Sequence, residues 1–206
     1  MEELDLLKKD WKKSENSFEQ LSEKDIYKMI HQKSSSVVKW ILIISLIELS
    51  IGILLNVLSL ESDFFNKIDA KGYTIYIEVL TIVNYAVILF FVYKFFKNYK
   101  TISSTDSTKK LMDDIISTRK TVQYYIWYNL IMIAISAFLG SYVALSITEE
   151  TKDIALDSSF RFIFYLTCIL VVGILVFLFW LFYILLYGRL LKKLFNNYNE
   201  LKKIDL

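Results

Sequence analysis

The chain has no proline in 206 residues, one cysteine, one histidine and five glycines. At the usual frequency of about 5%, about ten prolines would be present. Without them no pyrrolidine ring interrupts helical hydrogen bonding, so long unbroken helices are favoured. The single cysteine, Cys168, excludes an internal disulfide framework. His31 alone excludes a metal centre built from several histidines. Charge nearly cancels, with 24 Lys and Arg against 22 Asp and Glu, so no basic surplus points to nucleic acid. No Ser/His/Asp set, HExxH, P-loop or GxGxxG pattern occurs. Hydrolysis inside a membrane needs a nucleophile–base pair or metal ligands. Neither is available, so neither an enzyme nor a cofactor is expected.

What the chain has in excess is apolar residues, 55% of the total against about 45–50% in soluble domains. Four windows reach the length of about 20 mostly apolar residues that a bilayer crossing requires. They are Val37–Leu60, Tyr73–Phe96, Tyr124–Ile147 and Phe160–Tyr187. A helix of a soluble bundle keeps a polar face, whereas Ile163–Tyr187 carries no charge at all. The first 36 residues are too long, polar and charged for a signal-peptide n-region. Val37–Leu60 is therefore expected to be an uncleaved anchor.

Orientation follows from the lysines and arginines. Residues 1–39, 94–123 and 189–206 hold 20 of them; the connections 61–72 and 148–161 hold 4 and carry seven acids. Both termini and the 97–123 connection are expected in the cytoplasm. Trp40, Tyr93, Tyr99, Tyr124, Tyr125, Trp127 and Tyr187 then fall near the cytoplasmic interface, and Tyr73, Tyr76 and Tyr142 near the outer one.

The polar segments are also patterned. Ser22 and Asp25 have the form of a capping box, with Leu21 and Ile26 at staple spacing. A helix from Ser22 to Leu60 would be about 57 Å long, much longer than a hydrocarbon core of about 30 Å. Each span continues with residues at steps of three and four: Ile26, Ile30, Lys33 and Val37; Phe95, Tyr99 and Ile102; Leu111, Ile115, Thr118 and Val122; Leu191, Leu194, Tyr198 and Leu201. These are coiled-coil-like seams, with Lys33 as the interruption. Thr101–Thr108, rich in Ser and Thr and holding Asp106, is expected to break the chain and cap the third helix. The expected fold is all-α: four transmembrane helices in an antiparallel bundle that continues as a cytoplasmic helical stalk. A cytoplasmic amphipathic helical segment, 1–36, precedes the bundle of 37–206, whose cytoplasmic extensions are 97–123 and 188–206. Near the start, Leu4, Leu7 and Trp11 line one helical face among lysines, a pattern that suits an anionic lipid surface or a partner protein.

Two acids lie within the spans. An ionised carboxylate at a helix centre costs about 2.5–3.5 kcal/mol, which turns such residues toward the protein interior. Counted from the outer ends of the first two spans, Glu48 lies about 18 Å deep and Asn84 about 16 Å; Asn56 lies about 6 Å deep and Glu78 about 8 Å. Two interhelical pairs, Glu48 with Asn84 and Asn56 with Glu78, are expected, with both acids neutral. Ser45, Glu48, Gly52, Asn56 and Ser59 form a stripe suited to close helix contact, as do Ser136, Gly140 and Ala144. His31, on a lysine-rich helix, is expected to be solvated, and Cys168 inert in apolar surroundings.

Leu4, Leu7, Lys8 and Trp11, followed by Ile26, Met29 and Lys33-Ser34-Ser35-Ser36 before a first span, resemble small four-span inner-membrane proteins of Bacteroidota. The same N-terminal segment is similar to the anti-sigma-like membrane partners of extracytoplasmic sigma factors. The resemblance implies a multi-pass protein of the bacterial inner membrane. Some resembling proteins carry a carotenoid-oxygenase name, but that chemistry uses four histidines on iron and this chain has one. Three functions remain in play. The first is a non-catalytic helical scaffold or accessory subunit that presents cytoplasmic helices to a protein partner or to another copy of itself. The second is a tethered regulator capturing a cytoplasmic protein through residues 1–36. The third is a proton- or cation-coupled carrier using Glu48 and Glu78.

Overall fold

The computed structural model describes residues 22–60, 72–105, 107–152 and 158–204. Leu4, Leu7, Trp11 and Asp106 lie outside the described residues. Every regular element among the described residues is helical: α1 (Glu23–Leu60), α2 (Thr74–Ser103), α3 (Thr108–Lys152), α4 (Ser158–Tyr183) and α5 (Arg189–Ile204), with a π turn, Ile184–Gly188, joining the last two. Four helical stretches are long and apolar enough to cross a membrane: Glu23–Ser59, Thr74–Ser103, Thr108–Ser146 and Ser159–Lys203.

The start of α1 is set by Ser22. Its hydroxyl accepts from the Asp25 backbone N–H at 3.2 Å and donates to the Asp25 carboxylate at 2.6 Å. Its carbonyl accepts from the N–H groups of Asp25 and Ile26 at 2.9 and 3.0 Å. Such a cap contributes about 1 kcal/mol. No proline or cap residue interrupts the chain from there to Leu60, so α1 runs through residue 36 without a break.

The core occupies one end of the bundle. Ile30, Val37, Val38 and Ile41 of α1 meet Phe95 and Ile102 of α2, Leu111, Ile115, Val122 and Tyr125 of α3, Tyr187 of the π turn, and Leu194 and Leu201 of α5. Within the most apolar window of each span no more than 17% of residues are buried. The interior therefore sits mainly where the helices carry lysines on their outer faces, Lys28, Lys33, Lys97, Lys192 and Lys202 among them. Each seam supplies its apolar residues to this core, with one correction. Lys33 is exposed, and Ser34 takes the inward position, where its Oγ accepts from Asn197 Nδ2 at 3.0 Å. Ser34 lies one position on, near the 3.6-residue helical period from Ile30 to Val37, and a small hydroxyl tolerates burial only with such a partner.

The α2–α3 corner is held from α1. The Tyr27 hydroxyl donates to the Thr105 carbonyl at 2.9 Å. His31 Nε2 donates to the Ile102 carbonyl at 2.6 Å, one of the acceptors that a helix leaves unpaired at its C-terminal end. His31 is thus half-buried and bonded rather than solvated. Lysines flank it in sequence, but its own face of the helix meets α2. Thr105 Oγ1 also donates to Thr101 O at 2.7 Å and reaches Asp114 Oδ2 at 3.2 Å across the corner.

Packing differs at the other end. A small cluster there joins Val143 of α3 to Tyr73 and Ile77 at the start of α2. Between the two clusters α1, α2 and α3 border a half-open cavity of about 1150 Å³.

Candidate functional site

The cavity has a mostly apolar wall in which several short or polar side chains are set. Gly52 and Asn56 face it from α1, Thr81 and Asn84 from α2, and Ser136 and Gly140 from α3. A Cβ added at Gly52 or at Gly140 would meet nothing within 4 Å. At Gly52 and Gly140 the small-residue stripes therefore do not bring helices into contact; they leave space between them. The physical reason is the tyrosines. Tyr85 reaches across and donates to the Gly52 carbonyl at 3.1 Å, so a side chain, not a close backbone approach, bridges α1 and α2 there.

Glu48 stands at the inner limit of the cavity, with Ser59, Tyr73 and Tyr142 toward the other end. The rise from Glu48 to Ser59 along α1 is about 16 Å. Tyr125 of α3 donates to Glu48 Oε2 at 2.6 Å. The Tyr187 hydroxyl and Tyr183 lie beside the same carboxyl group. Glu48 Oε1 and Tyr187 Oη are both buried without a hydrogen-bond partner. The rings pack as a group: Tyr125 and Tyr187 edge-on at 6.0 Å between centroids, Tyr183 and Tyr187 stacked at 6.0 Å, and Phe95 against Tyr125 at 5.4 Å. Such aromatic pairs contribute about 0.5–1.5 kcal/mol beyond the area they bury. Aromatic packing closes the site on its lysine-rich side.

The interhelical pairs expected from depth alone are replaced. Glu48 and Asn84 both line the cavity, but each bonds to a tyrosine of α3: Glu48 to Tyr125, and Asn84 Oδ1 to the Tyr128 hydroxyl at 3.1 Å. Asn56 also lines the cavity, whereas Glu78 is exposed on another face of α2 and does not pair with it. Equal depth places two residues at one height; the rotation of each helix decides whether they face each other. A third helix bearing tyrosines at the same height supplied the shorter bridges.

Sequence reasoning treated Tyr125 and Tyr187 as interfacial aromatics, yet both are buried, at 1% and 0% exposure. One signal was available. Tyr183 and Tyr187 lie four residues apart, on one helical face, and Tyr125, Tyr128 and Asn129 form a similar polar group on α3. The π turn left no such signal. Its wider winding, frequent at functional sites, changes the phase of the helix at Tyr187, between the apolar α4 and the amphipathic α5.

Among the described residues, no group of three or more His, Cys, Asp or Glu side chains is arranged to hold a metal ion. The site can instead hold a ligand in a mostly apolar space with one carboxyl group and several hydroxyls at its rim and floor.

Residues 24–206 match the family described as "Domain of unknown function (DUF8845)". No curated protein and no solved structure matches the chain. The match covers most of the sequence, and the chain belongs to that family.

Proposed function

We propose that this family member is a non-catalytic integral membrane protein, a helical anchor whose cytoplasmic four-helix stalk serves as a platform for a partner protein. One observation carries the reading: the buried core lies mainly in the lysine-bearing part of the helices rather than in their most apolar windows. Transmembrane segments need little internal apolar burial, because lipid tails are as apolar as leucine. Helices standing in water need it, and here they have it. The stalk follows from the charge split, which favours the lysine-rich end in the cytoplasm of a bacterial inner membrane. The seam from Ile30 to Ile41 and the bond between Asn197 and Ser34 support a rigid unit joining the N-terminal and C-terminal helices.

A carrier mechanism draws less support. It would use Glu48 and Glu78 together, but Glu78 lies outside the cavity. Phe95, Tyr125 and Tyr187 close the path beyond Glu48. A tethered regulator that captures a cytoplasmic protein through residues 1–36 would be a special case of the platform.

The test places a photo-crosslinking amino acid at exposed stalk positions, Met29, Ile116 and Phe195, in the full-length protein in native membranes. The expected result is one protein, or a second copy of the chain, captured from neighbouring stalk positions and not from Tyr76 at the far end. Crosslinks to lipid alone at all three positions overturn the platform. Cysteine labelling at both termini from the same side of sealed vesicles tests the orientation.

A further inference from the structure

We propose that the cavity between α1, α2 and α3 is a binding site for an amphiphilic organic cation, with Glu48 as its counter-charge. The inference rests on the cavity and not on the stalk, so it stands or falls separately from the platform function.

Four observations lead to it. The volume, about 1150 Å³, matches or exceeds the roughly 300–1,000 Å³ of sites that take drug-sized ligands. It is also far too large for a bare metal ion, which needs several oxygens converging at about 2–2.6 Å. Among the described residues, Glu48 is the only charged one on the wall, and no Lys, Arg or His lines it. A carboxylate alone in such a place is expensive, and a cationic ligand would supply the missing partner. Its Oε1 is buried without a hydrogen bond, with the Tyr187 hydroxyl beside the carboxyl group.

The wall chemistry selects further. Tyr73, Tyr85, Tyr125 and Tyr183 contribute aromatic surface, and aromatic faces attract quaternary and other soft cations by about 0.5–2 kcal/mol each. Leu55 and Leu80 accept hydrocarbon. A small hydrated ion would gain nothing from these walls, and an anion would meet Glu48 with no compensating charge. An apolar cation uses both features.

The experiment uses the full chain in nanodiscs of phosphatidylcholine, whose neutral surface does not itself concentrate cations. Radiolabelled tetraphenylphosphonium is the probe, and neutral triphenylphosphine oxide is the competitor. Saturable binding is expected at one site per chain, resistant to the neutral competitor and weakened at least tenfold by Glu48→Gln. Gly140→Leu places a side chain in open cavity space away from the packed end, and is expected to weaken binding by a similar factor. This second variant decides the matter if Glu48→Gln fails to fold. No saturable binding above empty nanodiscs overturns the proposal. So do unchanged affinity in a folded Glu48→Gln protein and equal displacement by the neutral compound.

Discussion

The contact between Asn197 and Ser34 allows a quantitative test of the stalk. Asn197 is 4% exposed and Ser34 is 0% exposed, and the amide Nδ2 donates to the hydroxyl at 3.0 Å. The contact lies outside the windows Val37–Leu60 and Phe160–Tyr187 read from the sequence, so energies from water-soluble proteins are used for it. Removing the acceptor with Ser34→Ala leaves a buried amide donor unsatisfied, which costs about 1–3 kcal/mol. Removing the donor with Asn197→Leu has a smaller effect, about 1 kcal/mol or less. The serine hydroxyl can rotate to a carbonyl of its own helix, and leucine continues the apolar seam of Leu194 and Leu201. The double variant leaves no polar group to satisfy and is expected near the parent stability. The coupling between the two sites should therefore be at least about 1 kcal/mol, within the range found for contacting residues. The assay is reversible unfolding of the purified protein in mixed micelles of increasing dodecyl sulfate fraction, followed by far-ultraviolet circular dichroism. A neutral Ser34→Ala, or a double variant worse than the sum of the singles, would refute the buried contact and with it the packed stalk.

Other outcomes follow from the same reasoning. His31→Ala removes the bond to the Ile102 carbonyl and should cost about 1 kcal/mol, with faster amide exchange confined to the end of α2 and the start of α3; unchanged exchange there contradicts the cap. Tyr125→Phe takes away the hydrogen bond to Glu48 and should cost about 1–3 kcal/mol, whereas Tyr187→Phe removes a hydroxyl with no partner and should be neutral or stabilising. The reverse order in a denaturation series would show that Tyr187, not Tyr125, holds the carboxyl group. Gly52→Ala adds a methyl where nothing lies within 4 Å and should stabilise α1 by up to about 1 kcal/mol through helix propensity. A loss of stability would mean that α1 and α2 make close backbone contact after all.

The helices themselves were legible from the residues. Absence of proline, four apolar runs and the cap at Ser22 set where helices start and how far they run, because these are local properties of the backbone and its nearest side chains. The seams were legible too: Ile30, Ile102, Leu111, Ile115, Leu194 and Leu201 recur at helical spacing and are all buried. Reading failed wherever the answer depended on helix rotation. Glu48 and Asn84 share a height, but Tyr125 and Tyr128 face them. Lys33 occupies a plausible seam position, but Ser34 faces inward. His31 looks solvated among lysines, and it points at the end of another helix. Gly52 and Gly140 read as contact points, while both border open space and Tyr85 bridges to the Gly52 carbonyl. Rise along an axis is a sum over one chain and can be counted from sequence. The azimuth at which a helix meets its neighbours is settled jointly by all the side chains between them, and only the packed structure resolves it.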